Sequence, residues 1–397
     1  MAPERDPPLV YLIAGELSGD RLGAALMAGL RHRCPDIRFA GIGGPLMQAQ
    51  QLCSLFDMTE LSVMGIAEVL PKLRSLFRRR DEAVADILKQ NPAVLITIDS
   101  PDFCLRVARK VKAASSMPTI HYVAPSVWAW RPKRAQKMRG VIDHVLALLP
   151  FEPPYMEAAG MGCDFVGHPV VSEPVATDAD ASEFRKTYDL GNGPVLLALP
   201  GSRMNEVSRL VPIFGEALSK LVLQVPELRV VIPAAGPVAS RVRALAQHWP
   251  GDPLILDPNN GSAEDAVALK RAAFKSADLA LAASGTVSLE LAANETPMVI
   301  AYDMNWMTWQ MMKRMAQIDT VTLVNLVTQS RTVPEFLGDG CKPDPIARAL
   351  ATLLHDEPAR QKQIEACRRT MELLGKGQTE PGLRAADAVL RVSGLTR

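Results

Sequence analysis

The chain has 397 residues, of which 48% are hydrophobic and 22% are charged, and its formal net charge is +1. This composition is that of a folded globular protein rather than a disordered chain, and the length favours two domains. The balanced charge argues against nucleic acid as a partner, so any basic surface must be local.

Short apolar runs alternate with longer helical patterns along most of the chain. Because the runs are continuously apolar, they predict parallel strands that are buried on both faces. The predicted strands are 9–14, 37–42, 94–98, 119–123, 145–148, 195–199, 230–232, 254–256, 279–282 and 298–301. The pattern predicts an α/β fold of two doubly wound domains, with ligand residues in the loops that follow the strands and a cleft at the carboxyl ends of both sheets.

The domain boundaries are predicted from a shift in composition. An acidic, Pro-containing stretch indicates a linker at 172–183, between a first domain at 1–171 and a second at 184–344. The segment 345–397 is predicted to be helical, with helices at 345–354, 358–374 and 381–392.

The cysteines and the N-terminus indicate a cellular compartment. Six scattered cysteines without C-x-x-C spacing indicate neither a zinc site nor a disulfide framework. The first apolar run is interrupted by Gly15 and Glu16, which is not typical of a signal peptide, and no run reaches the roughly 18 residues of a membrane span. A cytoplasmic protein is expected.

The loop after the first predicted strand, Gly15 to Asp20, combines glycines with acids. Gly15 and Gly19 allow a ligand to approach the backbone, but Glu16 and Asp20 stand where a dinucleotide-binding loop would offer bare N–H groups. The loop therefore favours a sugar-hydroxyl or acid/base site, with Ser18, Gly19 and Asp20 as candidate binding residues. The alternative is that Ser18 or Asp20 is only the helix N-cap.

Asp99 follows the strand at 94–98, so its carboxylate is predicted to project into the cleft. A partly desolvated carboxylate at that place is a candidate general base. Asp102, three residues later, is equally plausible as the N-cap of the next helix.

Two turns in the second half are typical of phosphate sites. Pro200 to Arg203 links an apolar strand to a helix, and Ser284-Gly285-Thr286 does the same further on. Helix N-termini bind anions through free N–H groups, and the Arg203 guanidinium adds donors suited to phosphate. With Ser202 beside Arg203, and Glu290 placed to bind ribose hydroxyls one turn into the second helix, the pair predicts a nucleoside diphosphate site. Either turn alone is as consistent with an ordinary βα connection.

Two segments combine apolar and basic residues. Trp128, Trp130 and Arg131 lie in one, while Met64, Val69, Leu73, Leu76 and Phe77 lie in the other, near the run Arg78–Arg80. Such segments are typical of a surface that contacts anionic lipid. They are equally typical of helices with an apolar inner face and a basic outer face.

These stretches together resemble the lipid-A-disaccharide synthase family. The resemblance rests on motifs in the family's order from residue 14 to residue 337: AGELSGD (14–20), GIGGPLM (41–47), DSPDF (99–103), YVAPSVWAWR (122–131), FVGHP (165–169), LPGSR (199–203), SADLALAASGTVSLELA (276–292) and VPEFL (333–337). The chain departs from the usual family pattern at Cys104, Val324 and Gly338.

The resemblance implies a GT-B glycosyltransferase with two Rossmann-like domains, onto whose first domain the C-terminal helices pack back. It implies that UDP-2,3-diacylglucosamine is joined to 2,3-diacylglucosamine 1-phosphate (lipid X) in a β-1,6 bond, with release of UDP. It also implies peripheral attachment to the inner membrane. A homo-oligomer is left open.

The implied reaction assigns roles to the candidate residues. Asp99 is expected to be the base that activates the acceptor, with Glu16 as the rival. Arg203 is expected to stabilise the leaving UDP without a metal or another cofactor, Glu290 to bind ribose, and Asn325 to contact the nucleotide. The remaining alternatives are a UDP-sugar epimerase with soluble substrates and a non-enzymatic nucleotide-binding or scaffold protein.

Overall fold

The computed structural model describes residues 7–61, 66–128, 133–251, 253–305, 309–310 and 318–395, with the backbone alone at 66–73 and 133. The chain forms two compact units. Unit 1 contains Met1–Ser172 and Gly377–Arg397, and unit 2 contains Glu173–Lys376.

Unit 1 is built on a parallel sheet in the order β2-β1-β3-β4-β5-β6. The strands are β1 (Leu9–Ala14), β2 (Arg38–Ile42), β3 (Val94–Ile98), β4 (Thr119–Tyr122), β5 (His144–Ala147) and β6 (Gly162–Phe165). Because β1 has β2 on one side and β3 on the other, the strand order reverses between β1 and β3. Such a switch point is where ligands bind in open α/β sheets.

The helices α1 to α6 follow the strands of unit 1. They are α1 (Leu17–Arg33), α2 (Pro45–Ala49), α3 (Ile66–Gln90), α4 (Pro101–Ala114), α5 (Lys133–Gln136) and α6 (Pro153–Ala158). The inner face of α1, with Leu22, Leu26 and Leu30, is buried in the same core as the fully buried Val10 to Ala14 of β1. The first βα connection is thereby fixed against the sheet.

Unit 2 has a parallel sheet in the order β12-β11-β10-β7-β8-β9. Its strands are β7 (Val195–Leu199), β8 (Arg229–Pro233), β9 (Leu254–Leu256), β10 (Leu279–Ala283), β11 (Met298–Tyr302) and β12 (Glu335–Leu337). The switch point lies between β7 and β10, where Leu199 pairs with Ala282. The turns that begin at Pro200 and Ser284 therefore leave neighbouring strands at one edge of the sheet.

The helices of unit 2 are α7 (Asp178–Thr187), α8 (Met204–Val222), α9 (Ala239–Ala246), α10 (Ala263–Ser276), α11 (Val287–Ala293), α12 (Leu323–Thr328), α13 (Pro343–His355) and α14 (Glu357–Leu373). The composition at 172–183 predicted a linker, but its second half is helical. Thr177 caps α7 by accepting a hydrogen bond from the Asp180 N–H, and Asp180 accepts one from the Thr177 N–H in return.

Of the C-terminal helices, α15 (Pro381–Val392) belongs to unit 1 and packs on α1, whereas α13 and α14 belong to unit 2. Glycines let α15 approach α1 closely. A Cβ on Gly382 would lie 2.7 Å from the Ala25 carbonyl oxygen.

No helix in the described part of the chain is both long enough and apolar enough to cross a membrane.

Candidate functional site

The carboxyl ends of β3 and β4 hold three non-glycine residues in left-handed backbone conformations. The φ angles are +50° at Asp99, +43° at Ser100 and +84° at Val123. Such conformations cost about 1 to 3 kcal/mol each and cluster at functional sites, and a β-branched valine is the rarest of residues there. The strain lies beside the unit 1 switch point and supports a site at this edge of the sheet.

Asp99 is half-buried at this edge, where its N–H donates to the Tyr122 carbonyl oxygen at 3.0 Å. Ser100 is the N-cap of α4, and its buried hydroxyl has no hydrogen-bond partner. It lies against Gly15, where an added Cβ would be 2.5 Å from the Ser100 Oγ. Gly15 is therefore required by the close approach of the loops after β1 and β3, which contain Glu16 and Asp99.

The other candidates in the first loop take separate places. Glu16 is half-buried at the N-cap of α1, and Ser18 is exposed in the first turn. Gly19 is buried, and its α-carbon faces Ala14 and Ile98. Neither Ser18 nor Asp20 is the N-cap of this helix.

Asp20 is 1% exposed, so its predicted contact with substrate is corrected. Its Oδ1 accepts hydrogen bonds from the N–H groups of Gly44 (2.8 Å) and Met47 (3.0 Å), and its Oδ2 accepts one from Leu46 (2.9 Å). These bonds satisfy the free N-terminus of α2. Asp20 therefore shapes the loop after β2 and does not face a ligand.

Replacing Asp20 by alanine is expected to lower the free energy of unfolding by about 3 kcal/mol, because three N–H groups lose their acceptor. Urea denaturation measures the loss. Asp36→Asn, at an exposed turn of the same unit, is the control and should change stability little. A loss below about 0.5 kcal/mol for Asp20→Ala would contradict this role.

In unit 2, the Pro200–Arg203 turn differs from the prediction of free N–H groups. The Glu206 Oε2 accepts hydrogen bonds from the N–H groups of Ser202 (3.1 Å) and Arg203 (3.3 Å), while Oε1 accepts from the Arg203 Nη1 (3.0 Å). The Arg203 side chain remains 64% exposed. The spacing of Glu206, at the third position of the helix, is that of a capping box and could have been recognised in the sequence.

The second turn is open. Gly285 and Thr286 are exposed, and an added Cβ on Gly285 would meet nothing within 4 Å. Glu290 is on α11, one turn further on, and its Oε2 accepts a hydrogen bond from the Lys270 Nζ of α10. Sequence reasoning missed Lys270 because nothing in the pattern indicates which helix packs beside α11. The lysine fixes the direction of the carboxylate that is predicted to bind ribose.

Asn325 is fully buried, and its amide is used within its own loop. Its Nδ2 donates to the Val333 carbonyl oxygen (2.9 Å) and to the Thr320 Oγ1 (3.2 Å), and its Oδ1 accepts from the Val333 N–H (3.0 Å). The predicted contact of this side chain with the nucleotide is therefore corrected. Asn325 shapes the segment between β11 and β12.

The three departures from the family pattern have local explanations. Cys104 and Val324 are fully buried, and Cys104 is part of the apolar core of unit 1. Gly338 has a φ of +51°, and an added Cβ would collide with the Trp309 indole, so glycine is the residue that fits.

The predicted lipid-facing residues divide into three groups. Trp128 is only 8% exposed and packs edge-on against Phe151 at 5.1 Å between ring centroids, so its predicted contact with lipid is corrected. Leu76 is partly buried and packs on the core of unit 1. Phe77 is 40% exposed, and its contact with lipid stays a prediction. Met64, Trp130 and Arg131 lie outside the described residues, as do the side chains of Val69 and Leu73.

Glu152 holds Trp128 in place. It is 3% exposed, and its carboxylate accepts hydrogen bonds from the Trp128 Nε1 (3.2 Å) and the N–H groups of Leu148 (3.2 Å) and Leu149 (3.0 Å). Burial raises the pKa of Glu152 from 4.5 to about 7, although these donors lower it in part. The folded protein therefore binds a proton at Glu152 more tightly than the unfolded chain does.

Because the folded pKa of Glu152 is the higher one, its contribution to stability is fully present below pH 4.5 and is lost as the pH rises through about 7. As the pH rises between those limits, the free energy of unfolding of wild type should fall by about 3 kcal/mol relative to that of Glu152→Gln. Denaturation of both proteins at several pH values measures the difference, because other groups titrate alike in both. Parallel stability curves would contradict the prediction.

Comparison with known proteins identifies the family of the chain. The model of the lipid-A-disaccharide synthetase family matches residues 10–389. The lipid-A-disaccharide synthase of Ruegeria pomeroyi is 61% identical over 96% of this chain and 94% of its own length. The chain belongs to this family. The synthase of Rhodospirillum centenum is 46% identical over 97% of this chain and 95% of its own length.

The solved structures that resemble the chain agree on the fold. Staphylococcus aureus MnaA, solved with UDP, aligns with a TM-score of 0.65 at 14% identity over 96% of this chain and 95% of its own. Acinetobacter baumannii MurG aligns with a TM-score of 0.56 at 15% identity over 97% of this chain and all of its own. The two Rossmann-like units are therefore of the GT-B type, which confirms the predicted fold class.

Enzymes of the lipid-A-disaccharide synthase family transfer a sugar from a UDP-sugar donor to form the disaccharide of lipid A. The chain is accordingly a glycosyltransferase of lipid A biosynthesis. The epimerase and scaffold alternatives are excluded by the family.

Proposed function

We propose that the chain transfers the sugar of UDP-2,3-diacylglucosamine to the 6-hydroxyl of 2,3-diacylglucosamine 1-phosphate (lipid X). A β-1,6 bond forms at the anomeric carbon, the bond to the UDP oxygen breaks, and UDP leaves. The observation that carries the proposal is the pair of turns at the β7–β10 switch point, with Arg203 on one and Glu290 behind the other.

The donor binds in unit 2. Its diphosphate interacts with Ser202 and Arg203 and with the open turn Ser284-Gly285-Thr286, while Glu290 accepts hydrogen bonds from the ribose hydroxyls. The ion pair between Glu290 and Lys270 supports this role, because it fixes the position of the carboxylate. Negative charge on the departing UDP is stabilised by the Arg203 guanidinium, so the reaction requires no metal.

The acceptor is activated in unit 1. The donor is an α-glycoside and the product is β, so the anomeric centre inverts in a single displacement that needs one base and no covalent intermediate. Asp99 takes the proton from the 6-hydroxyl as the carbon–oxygen bond forms. Its half-buried place on a strained strand end supports this role. Glu16, which begins α1 beside the same switch point, is the rival base.

The decisive experiment is incubation of the protein with both diacylated substrates, followed by mass spectrometry. We expect the disaccharide 1-phosphate and one UDP per disaccharide formed. Hydrolysis of the donor at the same rate without lipid X would contradict transfer to that acceptor.

We also propose peripheral binding to an anionic membrane through α3, where exposed Phe77 lies under the Arg80 guanidinium, 5.0 Å from the ring centroid. Phe77→Ser should weaken sedimentation with phosphatidylglycerol vesicles about fivefold at low salt, because the ring no longer inserts below the headgroups. Leu223→Ser, at a site that is 84% exposed in unit 2, is the matched control. Equal binding by both variants would refute the assignment of this face.

A further inference from the structure

In the turn that is proposed to bind the donor diphosphate, the N–H groups already donate hydrogen bonds to a carboxylate of the protein. One carboxylate oxygen of Glu206 accepts hydrogen bonds from the N–H groups of Ser202 and Arg203, and the other accepts one from the Arg203 guanidinium. Its side chain is only 11% exposed, whereas that of Arg203 is 64% exposed. The carboxylate thus lies inside the turn, and the cation lies at its outer face.

These contacts are the ones that a phosphate group would make. N–H groups at the start of the 19-residue helix α8 and an adjacent guanidinium form a typical anion-binding arrangement. Gly201, with a φ of +108°, leaves room for the carboxylate, since an added Cβ there would lie 2.6 Å from the Glu206 Oε2. The carboxylate and a phosphate oxygen cannot both accept hydrogen bonds from the same N–H groups. The two negative charges would also repel each other at that short distance.

We propose that Glu206 substitutes for the donor's phosphate in the free enzyme and is displaced from the turn when the UDP-sugar binds. The inference rests on the proposed donor site. Before binding, Glu206 holds Arg203 and the turn in the geometry that the diphosphate requires. After transfer, the carboxylate competes with UDP for the same N–H groups and so favours product release.

The displaced carboxylate has a nearby partner. The Tyr302 Oη lies 3.5 Å from the Glu206 Oε1. Burial raises the pKa of Tyr302, so that its hydroxyl keeps its proton and remains a donor. A rotation of the Glu206 side chain toward Tyr302 frees both N–H groups without moving the backbone of α8.

A crystal structure of the wild-type protein with UDP tests the displacement directly. We expect phosphate oxygens within hydrogen-bond distance of the Ser202 and Arg203 N–H groups, and the Glu206 carboxylate turned away from them. UDP bound with Glu206 still on both N–H groups overturns this inference alone. Failure of the wild-type protein to bind UDP overturns the donor site and the inference together.

Calorimetric titration of Glu206→Gln with UDP gives a second test. The neutral amide still accepts a hydrogen bond in the helix cap but no longer repels the diphosphate, so UDP should bind about tenfold more tightly. The KM for the donor should fall, and kcat should fall with it because UDP leaves more slowly. A purely structural cap would give neither change.

The matched control is Asp180→Asn, which removes the same kind of acidic cap from α7 in the same unit. It should lower stability modestly and leave UDP affinity and turnover unchanged. Unchanged or weaker UDP binding by Glu206→Gln, with a stability loss like that of Asp180→Asn, would show that Glu206 is only a helix cap.

Discussion

Replacing Asp99 by asparagine should lower kcat about a thousandfold and leave the affinity for UDP unchanged. A general base contributes about two to four powers of ten to a rate, and the amide cannot accept the proton of the acceptor hydroxyl. Asparagine is the substitution to use because, like aspartate, it tolerates the left-handed conformation found at Asp99. Alanine would add backbone strain to the chemical defect.

Turnover assays on three variants show which carboxylate is the general base. Asp102→Asn is the control, since Asp102 is exposed in the first turn of α4 and should be dispensable. Glu16→Gln should reduce kcat less than Asp99→Asn does. If Asp99→Asn folds, binds UDP and turns over within tenfold of wild type, while Glu16→Gln is inactive, then Glu16 is the base.

Replacing Arg203 by alanine should lower kcat/KM for the donor about a hundredfold. A cation about 4 Å from a phosphate contributes roughly 4 kcal/mol at an effective dielectric of 20, and solvent reduces this for a side chain that is 64% exposed. Part of the loss should appear in kcat, because charge on the leaving UDP grows as the bond breaks. Steady-state kinetics with varied donor concentration measures both parts.

Two substitutions test the specificity of this effect. Arg203→Lys keeps the charge but loses the planar fork of donors, so it should recover only part of the activity. Arg209→Ala removes another arginine of α8, whose partner is Asp303 at the surface, and should change the kinetics little. Equal kinetics for Arg203→Ala and Arg209→Ala would exclude Arg203 from the donor site.

The buried strands could be predicted because a continuous apolar run has one explanation in an α/β fold. The runs at 9–14, 94–98, 195–199 and 254–256 match β1, β3, β7 and β9 residue for residue. The strands β6 and β12 were missed because their side chains are only partly buried and neither run is continuously apolar. The edge strand β9 could be predicted because its three residues, Leu254–Leu256, are all apolar.

The candidate site was predictable in position but not in its internal partners. Position follows from chain order, since the loops after β1, β3, β7 and β10 must lie at the switch points. Whether Asp20 or Asn325 faces a ligand depends on which N–H and carbonyl groups of other loops come near, and these are the loops at 44–47 and 320–333. The same limit applies to Trp128, whose burial depends on Phe151 and Glu152.

The packing of α15 against α1 has a consequence for biosynthesis. Unit 2 is one continuous stretch of chain, but unit 1 is completed by residues that are translated after it. While the ribosome makes unit 2, the groove over Ala25 and Gly29 that receives Gly382 is uncovered. Unit 1 can therefore be completed only after its last helix has been translated, and a chain that ends near residue 376 would leave this surface of α1 uncovered.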